Sequence, residues 1–251
     1  VFVLAIAVAA ILLARAKAAT PIVYGAAFLA SLAALALALR HLLAAPSDAA
    51  EIVLPLGLPW LGAHFRLDAL SALFLVVVNL GGAAASLYGI GYGRHESAPA
   101  RVLPFFAAFL AGMNLVVLAA DAFSFLLGWE FMSLVSWALV LSHHRVAENA
   151  RAALIYLVTA SFGTFCLLLL FGLLAGPAGG YGFDAMRAST LSPQVSALVL
   201  CLALLGAGSK AGLVPFHVWL PLAHPAAPSH VSALMSGVMT KVAIYGFVRI
   251  A

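Results

Sequence analysis

The chain has 251 residues, of which 65% are hydrophobic and only 8% charged, and its mean hydropathy is +1.16. Soluble domains carry about a quarter charged residues, so this composition excludes that class and predicts an all-α polytopic membrane protein. The formal charge of +4 and pI near 9.3 do not mark a nucleic-acid binder. There is no basic patch with interleaved aromatics, and the arginines fall at the ends of apolar runs.

At roughly 20 residues per span, about eight helices fit. Residues 1–14 read as the tail of a first span, closed by Arg15 and Lys17, and Pro21 to Leu43 as a second. Residues 44–67 are the least hydrophobic stretch, with Pro46, Pro55, Pro59, Asp48 and Glu51, and predict an extra-membrane loop with a short hairpin. Asp68 has the chemistry of an N-cap for a third helix running to Tyr92. The fourth span covers about 102–119, and Asp121 caps a fifth that ends near Ser142. Asn149 to Ala175 is the sixth. A glycine-rich loop leads to the seventh, which starts near Val195, and the eighth starts near Ser229. Apolar runs at both ends, with no initiator methionine, predict a piece of a longer protein. Cys166 and Cys201 lie in apolar runs without CxxC or Cys/His spacing and are expected to be small buried hydrophobes.

The loops set an expected orientation. Arg15, Lys17, Arg94, Arg101, Arg145 and Arg151 fall in alternate loops, whereas Arg40, Arg66 and Arg187 share the other loops with Asp48, Glu51, Asp68, Asp121 and Asp184. The positive-inside bias then puts the N-terminus outside and the more basic loops in the cytoplasm of a bacterial or archaeal cell (inner) membrane.

Three charged residues fall deep within predicted spans: Glu130 in LLGWEFMSLVSW, Lys210 in the seventh and Lys241 in the eighth. The chain has only three lysines, and two of them are these. A charge at mid-membrane costs roughly 3 kcal/mol on insertion scales, and such residues usually mark ion or proton pathways. A Glu–Lys pair could also simply join helices, but buried ion pairs stabilise poorly. Burial penalises charge and a nearby opposite charge restores it, so the set can act as a switchable proton site.

The run around Lys210 supports that reading. Gly206, Gly208, Ser209, Ala211 and Gly212 are small and admit close approach, and Pro215 is expected to break the helix and free the Ala211 carbonyl beside the lysine. Broken helices at mid-membrane recur in ion transporters. His217, His224 and His230 lie in or beside the break, where an imidazole can relay protons or merely pack, with His217 nearest. His143 and His144 belong to a basic loop, and His41, His64 and His95 carry no signal; no histidine cluster has metal-ligand spacing, so no metal is expected.

The run KAGLVPFHVWLPLAHPAAPSHVSALMSGVMTKVAIYG resembles the proton-conducting membrane subunits shared by respiratory complex I, Mrp-type antiporters and membrane-bound hydrogenases. Its tail, AHPAAPSHVSALMSGVMTK, is most similar to the hydrogenase-4 and formate hydrogenlyase branch, and LLGWEFMSLVSWALV resembles the family's glutamate helix. The resemblance implies that residues 1–100 form a leading three-helix segment and 101–251 the first five-helix repeat of an inverted pair, the second lying beyond this chain. It also places the family's glutamate on Glu130, its broken-helix lysine on Lys210, its next-helix lysine on Lys241, and its two histidines on His217 and His224. Leu222 departs from the polar residue many relatives carry there, which weakens any polar path at that point.

The function implied is proton translocation within a redox-driven complex. This chain would hold no redox cofactor, and the electron chemistry would belong to partner membrane subunits and a peripheral hydrogenase or dehydrogenase arm. A cation/proton antiporter subunit and a purely structural hydrogenase anchor are the competing readings.

Overall fold

The computed structural model describes residues 2–13, 16, 18–44, 49–57, 62–96, 98–177 and 179–250. Arg15, Lys17 and Asp48, on which the expected orientation partly rests, lie outside them. The described helices are α1 (Phe2–Leu13), α2 (Ala19–Ala44), α3 (Ala69–Tyr92), α4 (Pro99–Leu118), α5 (Ala122–Val140), α6 (Ala147–Ala175), the short α7 (Phe183–Arg187), α8 (Pro193–Ala211), α9 (Leu220–Ala226), α10 (Ser229–Leu234) and α11 (Thr240–Ile250). Strands β1 (Ala50–Leu54) and β2 (Ala63–Leu67) pair as an antiparallel hairpin within the expected extra-membrane loop.

Among the described residues, seven helical stretches are long and apolar enough to cross a membrane, counting Pro193–Ala226 and Ser229–Ile250 as one each. The protein is an all-α polytopic membrane protein. Helix α1 is apolar but has 12 residues, about 18 Å at 1.5 Å per residue, short of a hydrocarbon core of about 30 Å. Among the described residues seven helical stretches are therefore long enough to span, and α1, where the tail of a first span was expected, is a shorter apolar helix.

Local chemistry fixes the helix starts. Asp68 accepts the Ser71 N–H at 2.8 Å, and Asp121 accepts those of Ser124 at 2.8 Å and His64 at 2.8 Å. Asp121 thus caps α5 and also anchors the hairpin, whose β2 bridges Ala119 through Phe65. Ser192 caps α8 ahead of Pro193. Helix α4 is the centre of the bundle: 72% of its most apolar window is buried, against 28% for α2.

Two ionic clasps close the hairpin face. Arg66 donates to Asp184 at 2.9 Å and to Glu51 at 3.2 Å, and Glu51 also meets His64 at 3.0 Å. The hydrogen bond from His64 and the Arg66 guanidinium hold the Glu51 carboxylate below its ordinary pKa, and Arg66 does the same for Asp184. Deeper in, Arg249 makes a bidentate pair with Asp68 and donates to Ser71 Oγ at 2.7 Å and Tyr245 Oη at 2.9 Å. Burial opposes the Asp68 charge, but Arg249 and the Ser71 N–H outweigh it and hold that carboxyl well below the usual range. The end of α11 is thereby bolted to the start of α3.

The α6–α8 crossing positions Lys210. A Cβ on Gly163 would meet Ser209 Oγ and lie 2.9 Å from the Gly206 carbonyl, and one on Gly206 would lie 3.1 Å from the Gly163 carbonyl. Only paired glycines let these backbones touch, as small residues do elsewhere in membrane bundles. The contact sets the last turns of α8 against the middle of α6.

Candidate functional site

Lys210 lies in the last turn of α8 and is 2% exposed. Its Nζ donates to Ser133 Oγ at 2.6 Å and to Tyr156 Oη at 3.1 Å. The ammonium also faces two rings, 5.2 Å from the Tyr156 centroid and 5.7 Å from that of Trp129. An ammonium has three N–H donors. Two have partners among the described residues, and the third has none there.

The hydroxyls form an ordered chain. Ser133 donates to the Trp129 carbonyl at 2.7 Å and Ser136 to that of Met132 at 2.7 Å, so each leaves its oxygen free to accept. Tyr156 Oη lies 2.6 Å from Ser136 Oγ and 3.6 Å from Met239 Sδ, and its single O–H can donate to either. Met239 ends a π-helical turn, Met235–Met239, that immediately precedes α11, the helix carrying Lys241. Tyr156, 1% exposed, therefore touches Lys210 and the helical stretch that carries Lys241. π-turns of this kind are frequent at functional sites.

The anticipated residues are distributed unevenly around this centre. Glu130 is half-buried on α5, one turn before Ser133. It makes no ion-pair or hydrogen-bond contact with Lys210 among the described residues. The lysine's immediate partners are hydroxyls rather than the carboxylate. Lys241 is exposed, and its Nζ folds back on the Ser236 carbonyl at 3.0 Å and Thr240 Oγ1 at 3.2 Å.

Gly212, not Pro215, ends α8. It takes the left-handed conformation (φ 80°), and its N–H and that of Leu213 both bond the Gly208 carbonyl. This is a glycine-closed helix end with a 6→1 hydrogen bond. The helix is already over at Ala211, before the chain reaches Pro215, so the break expected of that proline falls at a glycine instead. Val214–Pro215 is cis. A 3-10 turn, Phe216–Trp219, then leads into α9. Trp219 Nε1 spans the gap by donating to the Ser209 carbonyl at 2.8 Å.

The three histidines separate. His217 is exposed. His224 is half-buried, its ring 6.3 Å from that of Trp219, which in turn lies 4.9 Å from Tyr156; its Nε2 has no partner among the described residues. His230 is 3% exposed and belongs elsewhere, bonding Tyr24 Oη at 2.7 Å and packing on Tyr92 and Phe106. It also lines a groove of about 610 Å³ between α3 and α10. His224 thus connects to the lysine through rings, and His230 does not. Among the described residues no group of three or more His, Cys, Asp or Glu could hold a metal.

Residues 119–251, which include the whole Lys210 cage and the clasp residue Arg249, match the family model described as NADH:quinone oxidoreductase/Mrp antiporter, transmembrane. The chain belongs to that family. It is similar to hydrogenase-4 component B of Escherichia coli, 40% identical over 188 residues, which cover 74% of this chain and 28% of that protein. Its structure superposes on a chain of the Mrp complex from Dietzia sp. DQ12-45-1b with a TM-score of 0.80 at 28% identity, over 99% of this chain and 47% of the other. A chain of the archaeal membrane-bound sulfane sulfur reductase shares the fold, with a TM-score of 0.79 at 20% identity, over 99% of this chain and 52% of that one. The chain thus spans about a quarter of the curated relative and about half of each structural neighbour.

Within this antiporter-family chain, the hydroxyl cage is the part that sequence reasoning overlooked. Ser133 and Ser136 succeed Glu130 at intervals of three on an otherwise apolar helix, a polar stripe that was there to be found. Tyr156 offers no such pattern, being the lone tyrosine of a long, largely apolar helix.

Proposed function

We propose that this chain is the proton-handling part of a membrane subunit in a multi-subunit, redox-driven respiratory complex of the hydrogenase-4 or formate hydrogenlyase kind. Lys210 is the loading site, Glu130 biases its charge, and the proton passes along Tyr156 toward Lys241. The observation that carries this reading is the burial of Lys210 among Ser133, Tyr156 and Trp129, with one donor unpartnered among the described residues. A purely structural lysine has no need of a tyrosine that also contacts the helical stretch bearing a second lysine. The exposed Lys241 would hand the proton to the portion of the protein that lies beyond this chain, covered there by other subunits of the complex.

Protons would reach the site from the face carrying Arg94, Arg101, Arg145 and Arg151, which the positive-inside bias assigns to the cytoplasm of a prokaryotic cell (inner) membrane, with the N-terminus outside. The way in runs past the helix end at Gly212 and along His224 and Trp219, with His217 at the rim and His230 on a separate branch. Electrons would stay in a peripheral redox arm, as this chain supplies no redox centre to the proposal.

The likeness to the Mrp complex supports a second reading, an antiporter subunit coupling protons to another cation without redox energy. One experiment separates the readings. The assembled complex is reconstituted in liposomes and proton uptake is followed during hydrogen or formate oxidation. Lys210→Met should assemble and stop uptake. Normal pumping by that variant would leave only the anchor reading, and uptake that tracks a sodium or potassium gradient instead of the redox donor would select the antiporter.

A further inference from the structure

We propose that the basic cavity between the start of α4 and the α5–α6 connection is a binding site for the phosphate headgroup of an anionic phospholipid. The cavity holds about 590 Å³ and is lined by Ala98, Pro99, Ala100, Arg101, Ser142, His143, Arg145 and Val146. It lies on the face opposite the hairpin, where the chain passes from span to surface, which is the depth of lipid headgroups.

Its charge is suited to one phosphate group. Arg145 is exposed and has no ion-pair or hydrogen-bond partner among the described residues. Arg101 donates to His144 Nδ1 at 2.8 Å, a neutral partner that leaves the guanidinium charge uncancelled. The carboxylate beside the cavity, Glu96, is turned away into the protein: its side chain is 7% exposed and engaged by His143 Nε2 at 3.0 Å and the Ala98 N–H at 3.1 Å. Glu148, in the first turn of α6, is the other acid on this face. A planar guanidinium fork matches two phosphate oxygens, and basic pockets between membrane helices favour acidic headgroups.

The apolar half of the ligand also has a surface. Phe105 stands one turn deeper than Arg101 on the same helix and is 38% exposed, and Val146 at the rim is 50% exposed. A soluble anion would use the arginines and ignore these side chains. A lipid uses both, its acyl chains running down α4 past Phe105. The groove at His230, larger but nearly all apolar, offers no such charge.

The test uses the full-length subunit in its assembled complex, exchanged into nanodiscs of phosphatidylcholine doped with phosphatidylglycerol, and reads the phosphatidylglycerol retained on gentle release by native mass spectrometry. The Arg101→Gln, Arg145→Gln double variant is expected to retain roughly tenfold less, since it removes both cationic contacts to the acidic headgroup. Arg145→Gln alone, at an exposed residue with no described partner, gives an intermediate loss without risk to folding. Phe105→Ser lowers retention while leaving the charge intact. An Arg94→Gln, Arg151→Gln control, on the same face but outside the cavity, should retain the wild-type amount.

Equal retention by wild type and the cavity variants would overturn the proposal. So would an equal loss in the control pair, which would mean diffuse surface attraction. Inorganic phosphate that binds with the same arginine dependence while phosphatidylglycerol is not retained would assign the cavity to a soluble anion and overturn the lipid.

Discussion

Removing a single oxygen from Tyr156 is the most discriminating perturbation of the site. Tyr156→Phe keeps the ring 5.2 Å from Lys210 Nζ and keeps the contact with Trp219, while deleting the hydroxyl 3.1 Å from the ammonium. Ser136 retains its bond to the Met132 carbonyl, and Lys210 retains Ser133, so no other buried group loses its last partner. A hydrogen bond to a charged group contributes about 2 kcal/mol. The charged lysine loses that much stabilisation, and a proton-transfer equilibrium passing through it shifts by roughly thirtyfold. The ring's volume is unchanged, so the cost to folding comes from the lost hydrogen bond alone and is about 2 kcal/mol. The assay is proton uptake by the reconstituted complex at fixed redox turnover, alongside the melting temperature of the purified complex. Uptake should fall by roughly thirtyfold, with the complex still assembled and its melting temperature lowered by only a few degrees. A double cycle with Ser133→Ala should show coupling, because the two hydroxyls share one ammonium. Wild-type uptake by Tyr156→Phe beside an inactive Lys210→Met would refute the role given to the hydroxyl.

The packing and the ionic clasps set three further outcomes. Gly163→Val drives a side chain against the Gly206 carbonyl, which cannot move aside, and should cost about 1–3 kcal/mol in thermal unfolding while lowering proton uptake by displacing α8. Asp68→Asn keeps an acceptor for the Ser71 N–H but leaves Arg249, 6% exposed, without its counter-ion. Breaking a buried pair costs about 3–5 kcal/mol, and with the Asp68 side chain 26% exposed a loss of about 2 kcal/mol is expected in the same measurement. The hairpin should loosen in acid. Glu51 and Asp184 have folded pKa values below their ordinary ones, so their contribution is complete above the ordinary carboxylate value and is lost as pH falls through the folded values. Exchange of the β1 and β2 amides, corrected for intrinsic rate, should be flat near neutrality and rise below about pH 4. Arg66→Gln should remove the Asp184 part of that dependence and leave the part that His64 gives Glu51.

The spans were legible because lipid leaves a chain little choice: runs of apolar residues with capping Asp68 and Asp121 become helices almost wherever they fall. The capping geometry agrees at both aspartates, and the hairpin appears in the one polar stretch. The site was legible only at its charges. Lys210 stands out in any apolar run, but its partners lie 77 and 54 residues earlier and are ordinary serine and tyrosine. Burial against such neighbours is decided by helix packing, which the chain encodes in Gly163 and Gly206 rather than in any polar motif. The end of α8 shows the same limit from the other side. Proline is the more conspicuous residue, yet a glycine able to take a positive φ stops the helix first.

The separation of the histidines is a consequence of topology. His224 and His230 are close in sequence, but α9 ends between them and α10 sets off along a different wall of the bundle. That places His230 against Tyr24, 206 residues earlier in α2, while His224 stays over Trp219. The leading segment therefore does more than flank the family-matched region. It supplies the one hydrogen-bond partner of a buried histidine among the described residues, so the proposed route for protons need not be confined to residues 119–251. Tyr24→Phe distinguishes the two cases. A loss of proton uptake comparable to that of Tyr156→Phe would bring His230 and α2 into the route, and unchanged uptake would leave His230 a packing residue and the Trp219–His224 side the sole way in.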